Sequence, residues 1–387
     1  MRLLDTSTLQ LKEFVGKAPP YAILSHTWGD DEVLFQDFRE DPTTKAGWGK
    51  VKASCDVARD LHHEWIWIDT CCIDKSSSAE LSEAINSMFK WYEKAVVCLA
   101  YLSDIQFSDP ETDPETDPET DTFAEVLTGS RWFTRGWTLQ ELLAPRHLDF
   151  YSSEWKLLGS RSKFADAVSR KTGIENKFLC GRAGDRTRLS NASVAARMCW
   201  ASGRRTTRIE DMAYCLLGLF DINMPLIYGE GNKAFKRLQE IIIREIDDQS
   251  IFAWGQGSNG HPSADMNLWG SPLLAGHPSW FKDSGDIVPF SPTDLTAPIN
   301  VEVDGITLST PLWMRKPTLS NSQSLPRGTK TNGVDRYSNM STRPRLLQLH
   351  RDNASRDPTA PFVKPEQPFL SQGLAHDLLC AQKHVEQ

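Results

Sequence analysis

Three clusters in this chain carry side chains that could do chemistry together: Ser25, His26 and Trp28 in AILSHTWGDDEV, Asp69 and Asp74 in WIWIDTCCIDKSS, and Glu141 in SRWFTRGWTLQELLAP. A serine beside a histidine invites a hydrolase reading. Neighbouring residues on a strand face opposite ways, however, and the chain has no G-x-S-x-G elbow, so a nucleophilic triad is disfavoured. Metal chemistry is equally poorly served. The adjacent Cys71 and Cys72 are expected on opposite faces of a strand, where one tetrahedral ion cannot take both, and no Cys-x-x-Cys pair occurs. No phosphate-binding G-x-x-x-x-G-K-[ST] loop is present either. The one G-x-G-x-x-G, at Gly255, Gly257 and Gly260, runs into HPSADMN instead of an amphipathic helix and is rejected as a dinucleotide site. No metal site is assigned. What is left is a set of carboxylates and indoles, of which Glu141 has two readings: a site residue, or an ordinary helix residue one turn after Trp137 and within reach of Arg135. Asp69 likewise has a structural reading, as the cap of the turn that follows it.

These clusters converge only if the elements between them build a sheet with its strand ends on one edge. From Tyr21 to Trp155, short apolar runs alternate with amphipathic segments, the pattern of a parallel sheet with crossover helices. YAILSHT, WIWIDTCCI, AVVCLAYLSD and HLDFYSSEW are the strand candidates. Between them lie a helix within GWGKVKASCDVARDLHHE, with Val51, Cys55, Ala58 and Leu61 on one face, and a helix opened by Ser77 and Glu80 at capping-box spacing. RGWTLQELLAP is a short helix stopped by Pro145. Each cluster then falls at or just after the carboxyl end of a strand, where open α/β sheets bind ligands.

The remaining chain divides by composition. Residues 1–20 form an N-terminal segment, 21–155 the sheet domain, 156–255 a helical region and 256–387 a polar, partly disordered tail. Within the sheet domain, residues 108–122 carry the repeat DPETDPETDPETD, acidic and almost without apolar side chains, read as a solvated loop. TTRIEDMAYCLLGLF is expected as one helix with Thr207 and Glu210 as its capping box and Ile209, Met212, Ala213, Leu216, Leu217 and Phe220 as its stripe. GNKAFKRLQEIIIREI is expected as another, with Phe235, Leu238, Ile241 and Ile242 on its apolar face and Glu245 where that face gives way to charge. DGITLSTPLWM reads as a strand pair, and Lys316 to Arg345 as disordered.

A net charge of -8 on 387 residues gives no footprint for nucleic acid, and nothing reaches the ~18 consecutive apolar residues of a membrane span. The N-terminus has polar residues where a secretory signal needs an apolar core, so a soluble, cytoplasmic protein with reduced, buried thiols is expected.

The three clusters resemble the hallmark blocks of the heterokaryon incompatibility (HET) domain family of filamentous fungi: SHTWG, a W-I-D-x-x-C-I-D block and R-x-W-x-x-Q-E. The resemblance runs from Tyr21 to about Trp155, and RTTRIEDMAYCLLGLFDINMPLIYGEGNKAFKRLQEII looks like the helical region that often follows that domain. Lys75 stands where many members carry glutamine. The resemblance implies a role in vegetative incompatibility and programmed cell death, triggered when unlike hyphae fuse. A second resemblance, of WTLQEL to the W-C-x-x-E-L motif of NAD-cleaving TIR domains, implies a flavodoxin-like, TIR-like α/β fold. Trp137 and Glu141 match that motif, while Thr138 replaces its cysteine.

On that resemblance Glu141 is the candidate catalytic residue and NAD the candidate substrate, with no cofactor held tightly. Ser25, His26, Trp28, Gly29, Asp69 and Trp137 are the candidate ligand-binding residues. Cleavage between ribose and nicotinamide builds oxocarbenium character, and the departing pyridinium needs no general acid, so one carboxylate suffices. Trp28 or Trp137 can stack on a ring, and the backbone around Gly29 can approach phosphate closely. Two other readings stay open on sequence: a non-enzymatic module that acts by self-association or by binding another incompatibility protein, and a truncated, inactive family member.

Overall fold

The computed structural model describes residues 1–107, 121–180, 189–255 and 273–288, and beyond these four short backbone strands between residues 300 and 350. The chain divides into two units, Met1–Gln348, which holds the sheet and helices described, and Leu349–Gln387.

Seven strands form the main sheet: β1 (Arg2–Asp5), β2 (Leu11–Glu13), β3 (Ala22–His26), β4 (Trp65–Trp67), β5 (Val97–Tyr101), β6 (Leu148–Tyr151) and β7 (Leu157–Ser160), in the order β2-β1-β4-β3-β5-β6-β7. The central four, β4-β3-β5-β6, are parallel. The α/β expectation holds, but the sheet is mixed. An antiparallel hairpin, β1 and β2, extends one edge through the pairing of β1 with β4, and β7 closes the other edge antiparallel to β6. Residues 1–20 are therefore more than a leading segment, since Leu3 and Leu4 are completely buried in the core.

β3 is buried along its whole length, as expected of a central parallel strand covered on both faces. The crossover helices are α1 (Trp48–Asp60) and α3 (Ser78–Lys94), separated by a four-residue helix α2 (Asp69–Cys72). Val51, Cys55 and Ala58 of α1 are buried as the helical period requires, whereas Leu61 lies past its end and is exposed. In α3 the Ser77 hydroxyl caps the Glu80 N–H at 3.3 Å. Glu80 does not complete the box: it pairs with Arg2 and accepts from the Asp74 N–H.

Two expectations are corrected near α2. The second strand ends at Trp67, and Cys71 and Cys72 lie in α2, both buried, not on opposite faces of a strand. The cause is a local turn in which the Cys72 N–H bonds the Ile68 carbonyl. Cys55, Cys98 and Cys215 are buried as well, Cys199 is half-buried and Cys180 is exposed.

After the acidic repeat, most of which lies outside the described residues, α4 (Asp121–Gly129) precedes α5 (Thr138–Leu143), the short helix that ends just before Pro145. Two short helices, α6 (Ala165–Thr172) and α7 (Asn176–Leu179), and then α8 (Val194–Ala201), lead into the helical region. The single helix expected over TTRIEDMAYCLLGLF is two short ones, α9 (Asp211–Tyr214) and α10 (Leu217–Phe220). The expected capping box does not form, because the Glu210 carboxylate accepts from the Gly229 and Gly231 N–H groups and the Thr207 hydroxyl accepts from Arg135. Ile209 is exposed, while Met212, Ala213, Leu216, Leu217 and Phe220 are buried. At Gly218 a β-carbon would meet Phe89 at 2.1 Å, so α10 can lie against α3 only with glycine there.

The last long helix, α11 (Lys233–Glu245), buries Phe235, Leu238 and Ile242 as expected, whereas Ile241 is only half-buried and Ile243 takes its place in the core. Packing continues past residue 255. Gln239 exchanges two hydrogen bonds with the backbone of Ala275, and Phe281 and Ile287 are buried. Of the DGITLSTPLWM stretch, Gly305–Leu308 pairs with Asn300–Glu302, and Met314–Arg315 pairs with Ile287–Val288. The stretch from Lys316 to Arg345 lies outside the described residues.

Candidate active site

The parallel strands run β4-β3-β5-β6 while the chain visits them as β3, β4, β5, β6, so the connections depart in opposite directions on either side of β3. That switch point leaves a crevice beyond the carboxyl ends of the strands. A cavity of about 320 Å³ occupies it, with His26, Trp28, Asp69, Trp137 and Glu141 all in its wall. Residues from three separated blocks are thus brought together. α3 closes one side through Leu81, Ile85, Met88 and Tyr92. The opposite side comes from the helical region, through Thr207, Arg208, Asp211 and Tyr228.

Glu141 is the buried acid of this cavity. Its Oε2 accepts the Ser25 hydroxyl at 2.5 Å, and Ser25 Oγ in turn accepts the Trp132 indole N–H at 2.8 Å. Burial raises the Glu141 carboxyl to about 8, against the lowering effect of the Ser25 hydrogen bond and with the Asp69 charge adding to the rise. Glu141 is neither exposed nor bonded to Arg135, which donates to the Thr207 hydroxyl instead.

Asp69, just past the end of β4, binds two of the other site residues. Its Oδ1 lies 3.0 Å from His26 Nε2 and its Oδ2 accepts the Trp28 indole N–H at 2.9 Å. Burial alone raises this carboxyl, but the His26 hydrogen bond, the Lys75 charge and the Trp28 hydrogen bond outweigh it and bring it down to about 2. Asp69 is therefore ionised where Glu141 is largely protonated at neutral pH. Two carboxyls of one cavity pushed apart in this way are a common mark of a functional site.

Trp137 donates to Asp211 Oδ2 at 3.4 Å, and the Tyr228 hydroxyl donates to Asp211 Oδ1 at 3.0 Å. These bonds tie the start of α5 to the helical region. A parallel bridge between Arg135 and Arg205 reinforces the tie, and the Gly136 N–H donates to the Arg205 carbonyl at 2.8 Å. A β-carbon at Gly136 would meet Thr206 Cγ2 at 2.5 Å.

Not every candidate faces the cavity. Ser25 is completely buried beneath Glu141 and supports it. Gly29 is outside the lining, and its N–H is taken by Glu32 Oε1 at 2.6 Å, which leaves it no donor for a phosphate. Asp74 holds the loop before α3, accepting from Gln36 and Ser76. Conversely, Lys75, Tyr92, Arg208, Asp211 and Tyr228 line the cavity without having been singled out as ligand-binding residues. Lys75 was legible only as a departure from the family pattern. Tyr92, Arg208 and Asp211 were hidden in segments read for helical period alone, and Tyr228 in the connection between two of them.

The molecule is thus an α/β domain with an acid-bearing, aromatic-lined cavity at its topological switch point. Residues 21–141 match the family model described as heterokaryon incompatibility protein (HET), and residues 233–301 match a domain of unknown function. The chain therefore contains a HET domain, at residues 21–141. It is 47% identical over 234 residues to the vegetative incompatibility protein HET-E-1 of Podospora anserina, an alignment covering 59% of this chain and 16% of the relative. The chain thus spans about a sixth of the length of the curated relative it matches. No solved structure matches it. No helix among the described residues is long and apolar enough to cross a membrane.

Proposed function

We propose that this chain acts in vegetative incompatibility as a death-inducing module, and that it does so by cleaving NAD in the cavity that holds Glu141. The observation that carries this reading is the placement of Glu141, an otherwise costly buried carboxyl, in the wall of a cavity shared with Trp28 and Trp137. The similarity to a vegetative incompatibility protein supports the biological half of the reading.

In the reaction, the bond between ribose C1′ and the nicotinamide nitrogen breaks and its electron pair stays with the ring, which becomes neutral. Water then bonds to C1′ and gives up a proton, yielding ADP-ribose. Glu141 in its ionised form stabilises the positive charge that builds on the ribose. A cationic ring entering the cavity favours that ionised form, so substrate binding draws the proton off a carboxyl that is otherwise held neutral. Asp69 keeps the Trp28 ring in place through its indole N–H.

Expression of the full chain in fungal hyphae tests the link to cell death. Wild type is expected to arrest growth and Glu141→Gln to leave growth unaffected. Growth arrest that survives Glu141→Gln but is lost on changing surface residues of the helices would favour the self-associating reading instead.

A further inference from the structure

Lys75 brings an ammonium group into the cavity with none of its N–H donors engaged. Its Nζ is buried, makes no hydrogen bond to any described residue, and sits 3.7 Å from the centroid of the Trp28 ring. The Asp69 carboxylate attracts it, but the oxygens of Asp69 are already held by His26 and Trp28. A desolvated ammonium with unmet donors is costly, and its burial depresses its basicity. Such a group is stabilised when an anionic oxygen arrives at the donors.

The rest of the lining narrows what carries that oxygen. Trp28, Trp137 and Tyr228 offer aromatic surface, while Glu141 offers a carboxyl oxygen to a hydroxyl group. The volume, about 320 Å³, suits one small organic ligand. A flat ring, hydroxyls and an anionic group in a single molecule describe a nucleotide. We infer that Lys75 is the phosphate-binding residue of this cavity, its ammonium holding the phosphate of a nucleotide ligand from its place over the Trp28 ring. The inference rests on the proposal that the cavity is the ligand site, but not on any reaction there.

Calorimetric titration of the purified full chain with ADP-ribose and, separately, adenosine tests it. ADP-ribose is expected to bind wild type, to bind Lys75→Met at least about tenfold more weakly, and to recover part of that loss in Lys75→Arg. Adenosine is expected to bind wild type and Lys75→Met alike. Because the methionine removes a buried charge but keeps the stem, the unfolding temperature of Lys75→Met is expected to stay level or rise. Undiminished ADP-ribose binding by Lys75→Met, an equal loss for adenosine, or no binding of ADP-ribose by wild type would each overturn the inference. ADP-ribose binding that depends on Lys75, in a protein that leaves NAD intact, would uphold it and remove only the proposed reaction.

Discussion

Ser25 donates its hydroxyl proton to Glu141 while accepting one from Trp132, whose indole nitrogen can only donate. The last residues of β3 thereby orient the acid of α5. Ser25→Ala breaks the link, strands the Trp132 N–H and takes from Glu141 a hydrogen bond that lowers its pKa. The expected result is a loss of about 1–3 kcal/mol in unfolding free energy and a further rise in the Glu141 pKa, followed by carboxyl NMR through a pH titration. An unchanged pKa would show that the bond does not hold the carboxyl.

Stability should depend on pH in two separate windows. The Glu141 carboxyl is raised from 4.5 to about 8, so between these values the unfolded chain has released a proton that the folded chain retains, and stability falls as pH rises. Asp69 is lowered from 3.8 to about 2, so its contribution is full above 3.8 and is lost as pH falls toward 2. Denaturant melts of wild type and Glu141→Gln across this range check both. The variant is expected to lose the slope between 4.5 and about 8, to keep the one below 3.8, and to be the more stable protein at pH 8.

Gly136 sits where the start of α5 meets the strand-like segment at Arg205, with no room for a β-carbon beside Thr206. Gly136→Ala is expected to cost about 1–3 kcal/mol. It should also loosen the wall that carries Asp211 and Tyr228. Limited proteolysis within residues 200–230 reads this directly, and a variant as resistant as wild type would contradict it.

Much of the sheet domain was legible in sequence because its signals are local. The runs at Tyr21, Trp65, Val97 and Leu148 are strands, and the stripes of α1 and α3 face the core, since burial on both faces leaves apolar runs and burial on one leaves a helical period. Strand order alone put His26, Trp28, Asp69 and Glu141 together, and with them Ser25 and Asp74, which lie outside the cavity wall. The added edge strands were missed because β2 has only three residues and β1 and β7 four each, too few for an alternating pattern to register.

The far wall of the cavity was illegible for a different reason. Thr207 and Glu210 have the spacing of a helix start, yet their side chains serve Arg135 and the Gly229 and Gly231 amides, partners far away in sequence. Local spacing carries no trace of such partners. The same holds for Lys75, whose neighbour Trp28 lies on another strand-end loop.

The most direct test of the account is NAD consumption by the purified full chain at high concentration, measured as nicotinamide release across pH 6 to about 9 for wild type and Glu141→Gln. Wild type is expected to release nicotinamide at a rate that rises with pH as Glu141 ionises, and Glu141→Gln to lose the activity by at least about a hundredfold. Equal nicotinamide release by the two proteins, or none by wild type in a fold that binds ADP-ribose, would contradict the assignment of Glu141 as the catalytic carboxylate of this cavity.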